Sequence, residues 1–362
     1  MGDATSGLFR LSFNPQLRVE FRGATMTSDA RLLLPRELDE HLGLNTLIQR
    51  HLTDPRTGRN RQFPLPDLFR QSIYSRLAGY EDTNDAERLA KGPTFRMLAS
   101  RDRREASIAL TSTLHWFETD VLTEEWNYQG LARFNTDLVQ HDATRPCTRR
   151  VTLEIDSSES PVHGAQEQSA YNSHFESVCY HPLFVFNQDG DCLAAKLRPG
   201  NVHSADGWEK ILLPIIERSQ VRGQTVVVRA DAAFALPALY EALERRGVAY
   251  AIRLPANDVL ERAIEDLLIW PRGRPSHAPL VRYRSFQYQA ASWDRPRRVI
   301  ATVEHPLGGT LSSGGRHRHH VDRDDPGRRP LLQPARDGGV VDHGGHRGHP
   351  LDPAFLSSVP RQ

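Results

Sequence analysis

The spacing of apolar residues divides the chain into a helical part and a part in which strands and helices alternate. Apolar residues recur every three or four positions in Leu65–Leu77, which is typical of an amphipathic helix, and Gly79 follows as a stop signal. A second stretch with this spacing runs from residue 108 to residue 122. We therefore predict a helical N-terminal region over residues 1–148.

From Val151 the pattern becomes that of an α/β protein, with the order strand, strand, strand, helix, strand, helix, strand. The predicted strands are 151–156, 180–186, 192–197, 225–231 and 248–254, and the predicted helices are 208–219 and 236–246. This part, 149–257, reads as a mixed sheet with flanking helices. Two further strands, 280–285 and 298–303, are expected to begin a β-rich insertion over 258–307.

Composition then narrows the class of protein. Hydrophobic residues make up 38% and charged residues 25% of the 362 residues, which fits a globular protein. No apolar run reaches the ~18–20 residues of a membrane-spanning helix, so we expect no membrane partner. Three cysteines are too few for a disulfide framework, which favours a cytoplasmic location. The net charge of +1 indicates nothing about partners.

The last segment, 308–362, has a different composition from the rest. It contains no Lys, Glu, Ile, Tyr or Trp and is rich in Gly, Arg, His, Pro and Asp. Such a segment buries too little apolar surface to offset the entropy lost on ordering, so we expect a disordered tail.

Histidines are frequent enough to raise the question of a metal site. Those of the tail include His317, His319 and His320, but their spacing matches no known metal geometry. For the histidines of the α/β part we expect hydrogen-bonding roles rather than metal binding; these are His163, His174, His181 and His203.

Two aspartates, Asp156 and Asp231, end predicted strands 74 residues apart. If those strands are neighbours, the two carboxylates meet at one edge of the sheet, where they would repel each other unless a cation lies between them. Mg²⁺ prefers such oxygen ligands and keeps waters for a phosphate substrate. The alternative is that both are ordinary aspartates at strand ends.

Several longer motifs bear on this choice. They are LEIDSSESPVHG at 153–164, YHPLFVF at 180–186, RPGNVHSADG at 198–207 and RADAAF at 229–234, with GYEDTND at 79–85 and IRLPAN at 252–257. In this order they resemble the DDE transposases of bacterial insertion sequences, and more narrowly the insertion-sequence thirteen-eighty group. The resemblance runs from about Phe21 to Pro306.

That resemblance implies an RNase H-like core, dependence on Mg²⁺, and cut-and-paste transfer of DNA. By position, Asp156 would be the first catalytic carboxylate and Asp231 the second, and both would bind the metal. The partners implied are the terminal inverted repeats of the element and target DNA, with a homodimer acting on paired ends and a location at the bacterial nucleoid.

One family feature is missing. The third carboxylate is a Glu in the pattern Tyr-x2-Arg-x3-Glu-x6-Lys, whereas this chain has no Tyr or Glu after Glu304. Glu154 and Glu159 are nearby acids, but neither lies on the expected late helix. We therefore expect a transposase that is inactive in this form.

A frameshift near Gly308 explains the loss. One choice of codons for residues 331–340, read one base later, gives FYNQRGTAE, which carries Tyr, Arg and Glu at the family's spacing. Only three of the 46 basic residues are Lys, which indicates a G/C-rich gene whose wrong frame would be rich in Arg and Gly. On this hypothesis 308–362 is an out-of-frame tail.

Two alternatives stay open. One is a non-catalytic remnant whose helical region still binds element ends, and the other is a different RNase H-like nuclease. Arginines flanking the N-terminal helices (Arg101, Arg103, Arg104, Arg149 and Arg150) could neutralise DNA phosphates, but a solvated helix face is the commoner explanation for them.

Overall fold

The structure is a computed structural model that describes residues 9–19, 29–57, 62–98, 107–140, 149–269, 280–305 and 316–322. The chain divides into two compact units, Met1–Pro146 and Cys147–Gln362. We refer to them as the helical unit and the sheet unit.

The helical unit contains seven α-helices and one antiparallel hairpin among its described residues. The hairpin joins β1 (Phe9–Leu11) to β2 (Asn14–Val19). The helices are α1 (Leu33–His41), α2 (Leu44–His51), α3 (Leu65–Leu77), α4 (Ala86–Leu89), α5 (Pro93–Leu98), α6 (Thr111–Trp116) and α7 (Glu125–Gln140).

Local sequence accounts for the longest predicted helix of this unit. Helix α3 has Pro66 in its first turn, where the missing N–H costs nothing, and it ends before Gly79, whose φ of +90° suits glycine. The second predicted helix begins later than expected, because Leu110 is extended and α6 starts at Thr111. A π-helical turn, Phe117–Val121, then continues it.

The sheet unit contains eleven strands and four helices within the described ranges. Its strands are β3 (Arg150–Ser157), β4 (Ser160–Pro161), β5 (Ala170–Asn172), β6 (Ser177–Tyr180), β7 (Leu183–Asn187), β8 (Cys192–Lys196), β9 (Thr225–Ala230), β10 (Ala249–Leu254), β11 (Leu280–Tyr288), β12 (Arg297–His305) and β13 (Arg316–Asp322). Its helices are α8 (Trp208–Val221), α9 (Pro237–Arg245), α10 (Asp258–Arg262) and α11 (Glu265–Leu268).

Eight of these strands form one mixed sheet in the order β11-β12-β13-β10-β9-β3-β7-β8. Strands β3, β9 and β10 are parallel, and the other pairs are antiparallel. The meander β3-β7-β8 is followed by strand–helix–strand units, as the sequence predicted. The fold class is thus confirmed as a mixed α/β, RNase H-like sheet with flanking helices.

The core of this unit lies between one sheet face and helices α8 and α9. Val151, Leu153 and Ile155 of β3 share a buried cluster with Leu212 of α8 and Leu243 of α9. Alternation along β3 therefore sends its even-numbered residues to the opposite face of the sheet.

One predicted strand, 180–186, is two strands in the structure. Tyr180 ends β6, which pairs with β4 and β5 in a separate three-stranded sheet, and β7 begins only at Leu183. Pro182 lies in the gap, where its missing N–H removes a ladder donor.

The expectation of a disordered tail is wrong for Arg316–Asp322. This segment is β13, which pairs antiparallel with β10 on one side and β12 on the other. The edges of β10 and β12 supply hydrogen-bond partners for the backbone of this segment on both sides. This stabilisation cannot be inferred from the composition of the segment. Strands β11 and β12, expected to begin an insertion, belong through β13 to the main sheet. The rest of the tail lies outside the described residues.

Candidate active site

Asp156 is the next-to-last residue of β3. Its neighbour Ile155 is buried in the core, whereas Asp156 is exposed on the opposite face. The backbone N–H of Ser157 donates to Oδ1 of Asp156 at 2.8 Å, which orients the carboxylate.

Asp231 comes directly after β9. It is exposed, its backbone is still extended, and it caps the 3₁₀ turn Ala232–Phe234. The N–H of Ala233 donates to Oδ1 of Asp231 at 3.0 Å. Each aspartate is thus held by a backbone N–H shortly downstream of it.

The register of the two parallel strands brings the aspartates together. Ile155 of β3 is paired with Ala230 of β9, so the next residue of each strand is Asp156 and Asp231 respectively. Neighbouring strands lie ~5 Å apart, and residues level with each other in a parallel pair extend from the same face. The adjacency of these two strands, predicted from the sequence, is therefore present in the structure.

Glu154 lies on the same face of β3, two residues before Asp156. Its Oε1 accepts a hydrogen bond from Nη1 of Arg229 at 3.1 Å, across the β3–β9 pair. Both side chains are about half-exposed, and their charges offset each other. Glu154 is therefore engaged in a cross-strand ion pair beside the aspartates.

Glu159 is directed elsewhere. Its Oε1 accepts a hydrogen bond from the hydroxyl of Ser177 on β6, in the small sheet. Over the part of the chain that the structure describes, no group of three or more His, Cys, Asp and Glu side chains is placed to hold a metal ion. The site as described has two carboxylates, not three.

The donor set fits a hard divalent cation in part. Two exposed carboxylates side by side supply the oxygen ligands that Mg²⁺ takes, and their exposure leaves room for the waters that Mg²⁺ retains. A second ion would need further ligands beyond this pair.

His181, one of the histidines expected to form hydrogen bonds, is 3% exposed and lies beside this site. Its Nε2 is 3.1 Å from Oγ of Ser157, the residue after Asp156. The hydrogen-bonding role expected for His181 agrees with the structure. The motif YHPLFVF contained the residue, but nothing in the spacing indicated its contact with β3.

The structure describes some, but not all, of the other histidines and arginines named from the sequence. His163, His174 and His203 are exposed. Arg149 and Arg150 are also exposed, at the start of β3, whereas Arg101, Arg103 and Arg104 lie outside the described residues. For the tail histidines on β13 only the backbone is described.

A family model described as "Transposase DDE domain group 1" matches residues 9–314. The match spans most of the chain, so the chain belongs to this family of DDE transposases. No curated protein sequence matches the chain. No helix among the described residues is long and apolar enough to cross a membrane.

Proposed function

We propose that the chain is the transposase of a bacterial insertion sequence of the thirteen-eighty group, descended from an enzyme that cuts and pastes DNA by Mg²⁺-dependent phosphoryl transfer. Membership of the DDE family supports the transposase function. The observation that carries the chemistry is the register Ile155–Ala230, which makes Asp156 and Asp231 neighbours at the ends of two parallel strands.

In this proposal Asp156 and Asp231 are the first and second catalytic carboxylates, and they hold the divalent ion. When bound, Mg²⁺ would polarise the phosphodiester and lower the pKa of a bound water or 3′-hydroxyl nucleophile. The backbone N–H groups of Ser157 and Ala233 preorient the two carboxylates, which reduces the ordering needed on binding.

We also propose that this form of the protein is inactive. DDE chemistry needs a third carboxylate, and neither nearby glutamate suits that role, because Glu154 is paired with Arg229 and Glu159 with Ser177. A frameshift near Gly308, as hypothesised from the sequence, would supply the reason; the family match ends a few residues beyond that point, at residue 314.

For the helical unit we propose recognition of the element's terminal inverted repeats. A homodimer would bring two ends together, and the protein would act at the nucleoid in the cytoplasm. Membership of the DDE transposase family supports DNA as the partner.

The decisive experiment compares this chain with a version whose frame is restored after Gly308. The substrate is a labelled duplex that carries the sequences flanking the gene, with a scrambled duplex as control. We expect Mg²⁺-dependent strand cleavage by the restored protein and none by this chain. Cleavage by the restored protein must also disappear with Asp156→Asn or Asp231→Asn, and its persistence would contradict the assigned carboxylates.

The same assay separates the alternatives. A shifted band without cleavage by either protein would favour a DNA-binding remnant, and cleavage without preference for the repeats would favour a different RNase H-like nuclease. Sequencing the gene from the codon of Trp293 onward tests the frameshift itself, because the shifted frame must encode FYNQRGTAE without an intervening stop.

A further inference from the structure

We propose that His181 is a positioning residue for Asp156: by holding the hydroxyl of Ser157 it fixes the end of β3, and with it the carboxylate that binds the metal. This inference rests on the proposed role of Asp156 as a metal ligand. Nothing in the proposed chemistry itself assigns a role to His181.

The imidazole of His181 bridges two segments that are far apart in the sequence. On one side Nε2 lies 3.1 Å from Oγ of Ser157 at the end of β3. On the other side Nδ1 lies 3.2 Å from the carbonyl oxygen of Val202, in the loop before α8. The ring therefore ties the strand end to that loop.

The chemistry of these partners determines the tautomer. A carbonyl oxygen only accepts hydrogen bonds, so Nδ1 carries the proton and donates to Val202. Nε2 is then the acceptor, and the hydroxyl of Ser157 donates to it. Burial lowers the pKa of His181, which favours the neutral ring in which Nε2 accepts.

The backbone of His181 is anchored as firmly as its ring. Its N–H donates to the carbonyl of Arg198 at 2.9 Å, and Nε of Arg198 donates back to the carbonyl of His181 at 2.8 Å. Arg198 is 5% exposed, and its Nη1 donates to three carbonyls of the same loop, those of His203, Ser204 and Asp206. These hydrogen bonds fix the backbone from which the imidazole of His181 extends.

The chain of contacts ends at the carboxylate. Ser157 donates its hydroxyl to His181 and its backbone N–H to Oδ1 of Asp156 at 2.8 Å. Fixing the side chain of Ser157 restricts the rotation of the peptide that orients Asp156. A second residue of this kind, which orients a ligand without touching the metal, is a common part of metal sites.

The test measures binding of Mn²⁺ alone, by electron paramagnetic resonance, to the full chain. His181→Gln places an amide oxygen near the position of Nε2 and can still accept from Ser157, whereas His181→Leu cannot. We expect His181→Leu to weaken Mn²⁺ binding about 10-fold or more, and His181→Gln to restore most of the loss. His163→Leu is the matched control, because His163 is exposed, and it should bind Mn²⁺ as the unaltered chain does.

A purely structural role for His181 would give a different result. Both His181→Leu and His181→Gln would lower the melting temperature, while Mn²⁺ affinity measured well below it would stay unchanged. Ser157→Ala sharpens the test: if His181 acts through Ser157, the double variant Ser157→Ala/His181→Leu binds Mn²⁺ no more weakly than His181→Leu alone. Additive losses, or unchanged binding in all variants, would overturn the proposal.

Failure of the proposed function is distinguishable from failure of this inference. If Asp156→Asn and Asp231→Asn leave Mn²⁺ binding unchanged, or the unaltered chain binds none, the carboxylate pair is not the metal site and both proposals fall. If both substitutions abolish binding while His181→Leu does not weaken it, only the positioning role is wrong.

Discussion

In the helical unit, charged and amide side chains are buried between helices, whereas in the sheet unit the interior between β3, β9 and α8 is apolar. Arg70 of α3 donates to both carboxylate oxygens of Asp39 on α1, at 2.6 and 3.0 Å, and both side chains are buried. The hydroxyl of Tyr74 donates to the same carboxylate at 2.7 Å.

Buried side-chain amides also form hydrogen bonds between segments of the helical unit. Asn127, fully buried, accepts from the N–H of Thr53 and donates to the carbonyls of Thr53 and Val121. Gln71 exchanges two hydrogen bonds with the backbone of Ala109.

The contrast has a physical reason. A helix satisfies its backbone internally, so two helices have no backbone ladder to set how they meet, and buried side-chain hydrogen bonds supply that specificity. A sheet sets its own register through the backbone.

Removal of β13 should damage the sheet unit most. A chain that ends after residue 315 lacks the strand that joins β10 to β12, which leaves two open edges that favour aggregation. A chain that ends after Asp322 keeps the strand and is the control. Hydrogen exchange should show lost protection in β10 and β12 of the shorter chain alone; equal protection in both chains would mean that β13 contributes little.

Asp39→Asn should destabilise the helical unit strongly, because it removes the carboxylate charge to which buried Arg70 donates two hydrogen bonds and leaves Arg70 with the more distant carboxylate of Asp67, at 4.0 Å. Breaking a buried pair from one side costs about 3–5 kcal/mol. The matched control is Glu118→Gln. Glu118 accepts two hydrogen bonds from Arg76, both at 2.8 Å, but Arg76 is half-exposed, so the expected cost is about 1 kcal/mol or less.

Denaturant unfolding, monitored by hydrogen exchange of the backbone amides of α1 and α3, measures the loss of unfolding free energy in each variant. If Asp39→Asn and Glu118→Gln lower the free energy of unfolding by similar amounts, burial is not the reason why the Asp39–Arg70 pair is important.

Gly130→Ala tests the packing of α7 on α2. Alanine normally stabilises a helix relative to glycine by about 1 kcal/mol, but here the added Cβ would lie 2.1 Å from the carbonyl oxygen of His51. We expect a net destabilisation of about 1–3 kcal/mol from overpacking. Gly92→Ala, whose Cβ would meet its nearest atom at 3.3 Å, is the control and should be close to neutral. A stabilised Gly130→Ala protein would contradict the close approach.

Glu244→Gln should remove an acid-sensitive part of the sheet unit's stability. Burial alone would raise the pKa of Glu244, but hydrogen bonds from Arg297, Tyr250 and Arg295 lower it to about 2. Because the folded-state pKa is below the ordinary value of 4.5, this stabilisation is complete above pH 4.5 and is lost as the pH falls toward 2.

The slope attributable to one such carboxylate approaches about 1.4 kcal/mol per pH unit within that window. Unfolding of the unaltered chain and of Glu244→Gln should therefore differ most at pH 7 and converge toward pH 2. A constant difference across the range would exclude a titrating Glu244 as the cause.

The smallest effects on stability are expected at the candidate metal site. Asp156→Asn changes an exposed side chain and should alter the free energy of unfolding by about 0.5 kcal/mol or less. Asp231→Ala also removes the cap of the turn Ala232–Phe234 and should cost about 1 kcal/mol. If either substitution unfolds the sheet unit, these carboxylates are structural, and the metal-binding proposal loses its support.

Local periodicity was enough for much of the secondary structure. Helix α3 occupies the residues that the three-and-four spacing predicted, and β9 differs from its predicted strand by one residue. Such elements are recognisable because their burial repeats at short range along the chain. The adjacency of β3 and β9 was also predictable, because the order of strands and helices restricts which strands can be neighbours.

Three features depended on the tertiary structure. Pro182 alone did not reveal that Tyr180 belongs to a separate small sheet, and the composition of the tail concealed a strand at Arg316–Asp322 whose backbone partners lie on β10 and β12. The contact between His181 and Ser157 joins residues 24 positions apart that belong to two different motifs, and neither motif indicates it. From short-range patterns and element order the sequence predicted the α/β class and the adjacency of the strands that lead to Asp156 and Asp231, whereas the catalytic role of the two aspartates rested on the family resemblance. Only the folded chain decided what surrounds and orients that pair, because those contacts depend on register and on side chains that distant segments bring together.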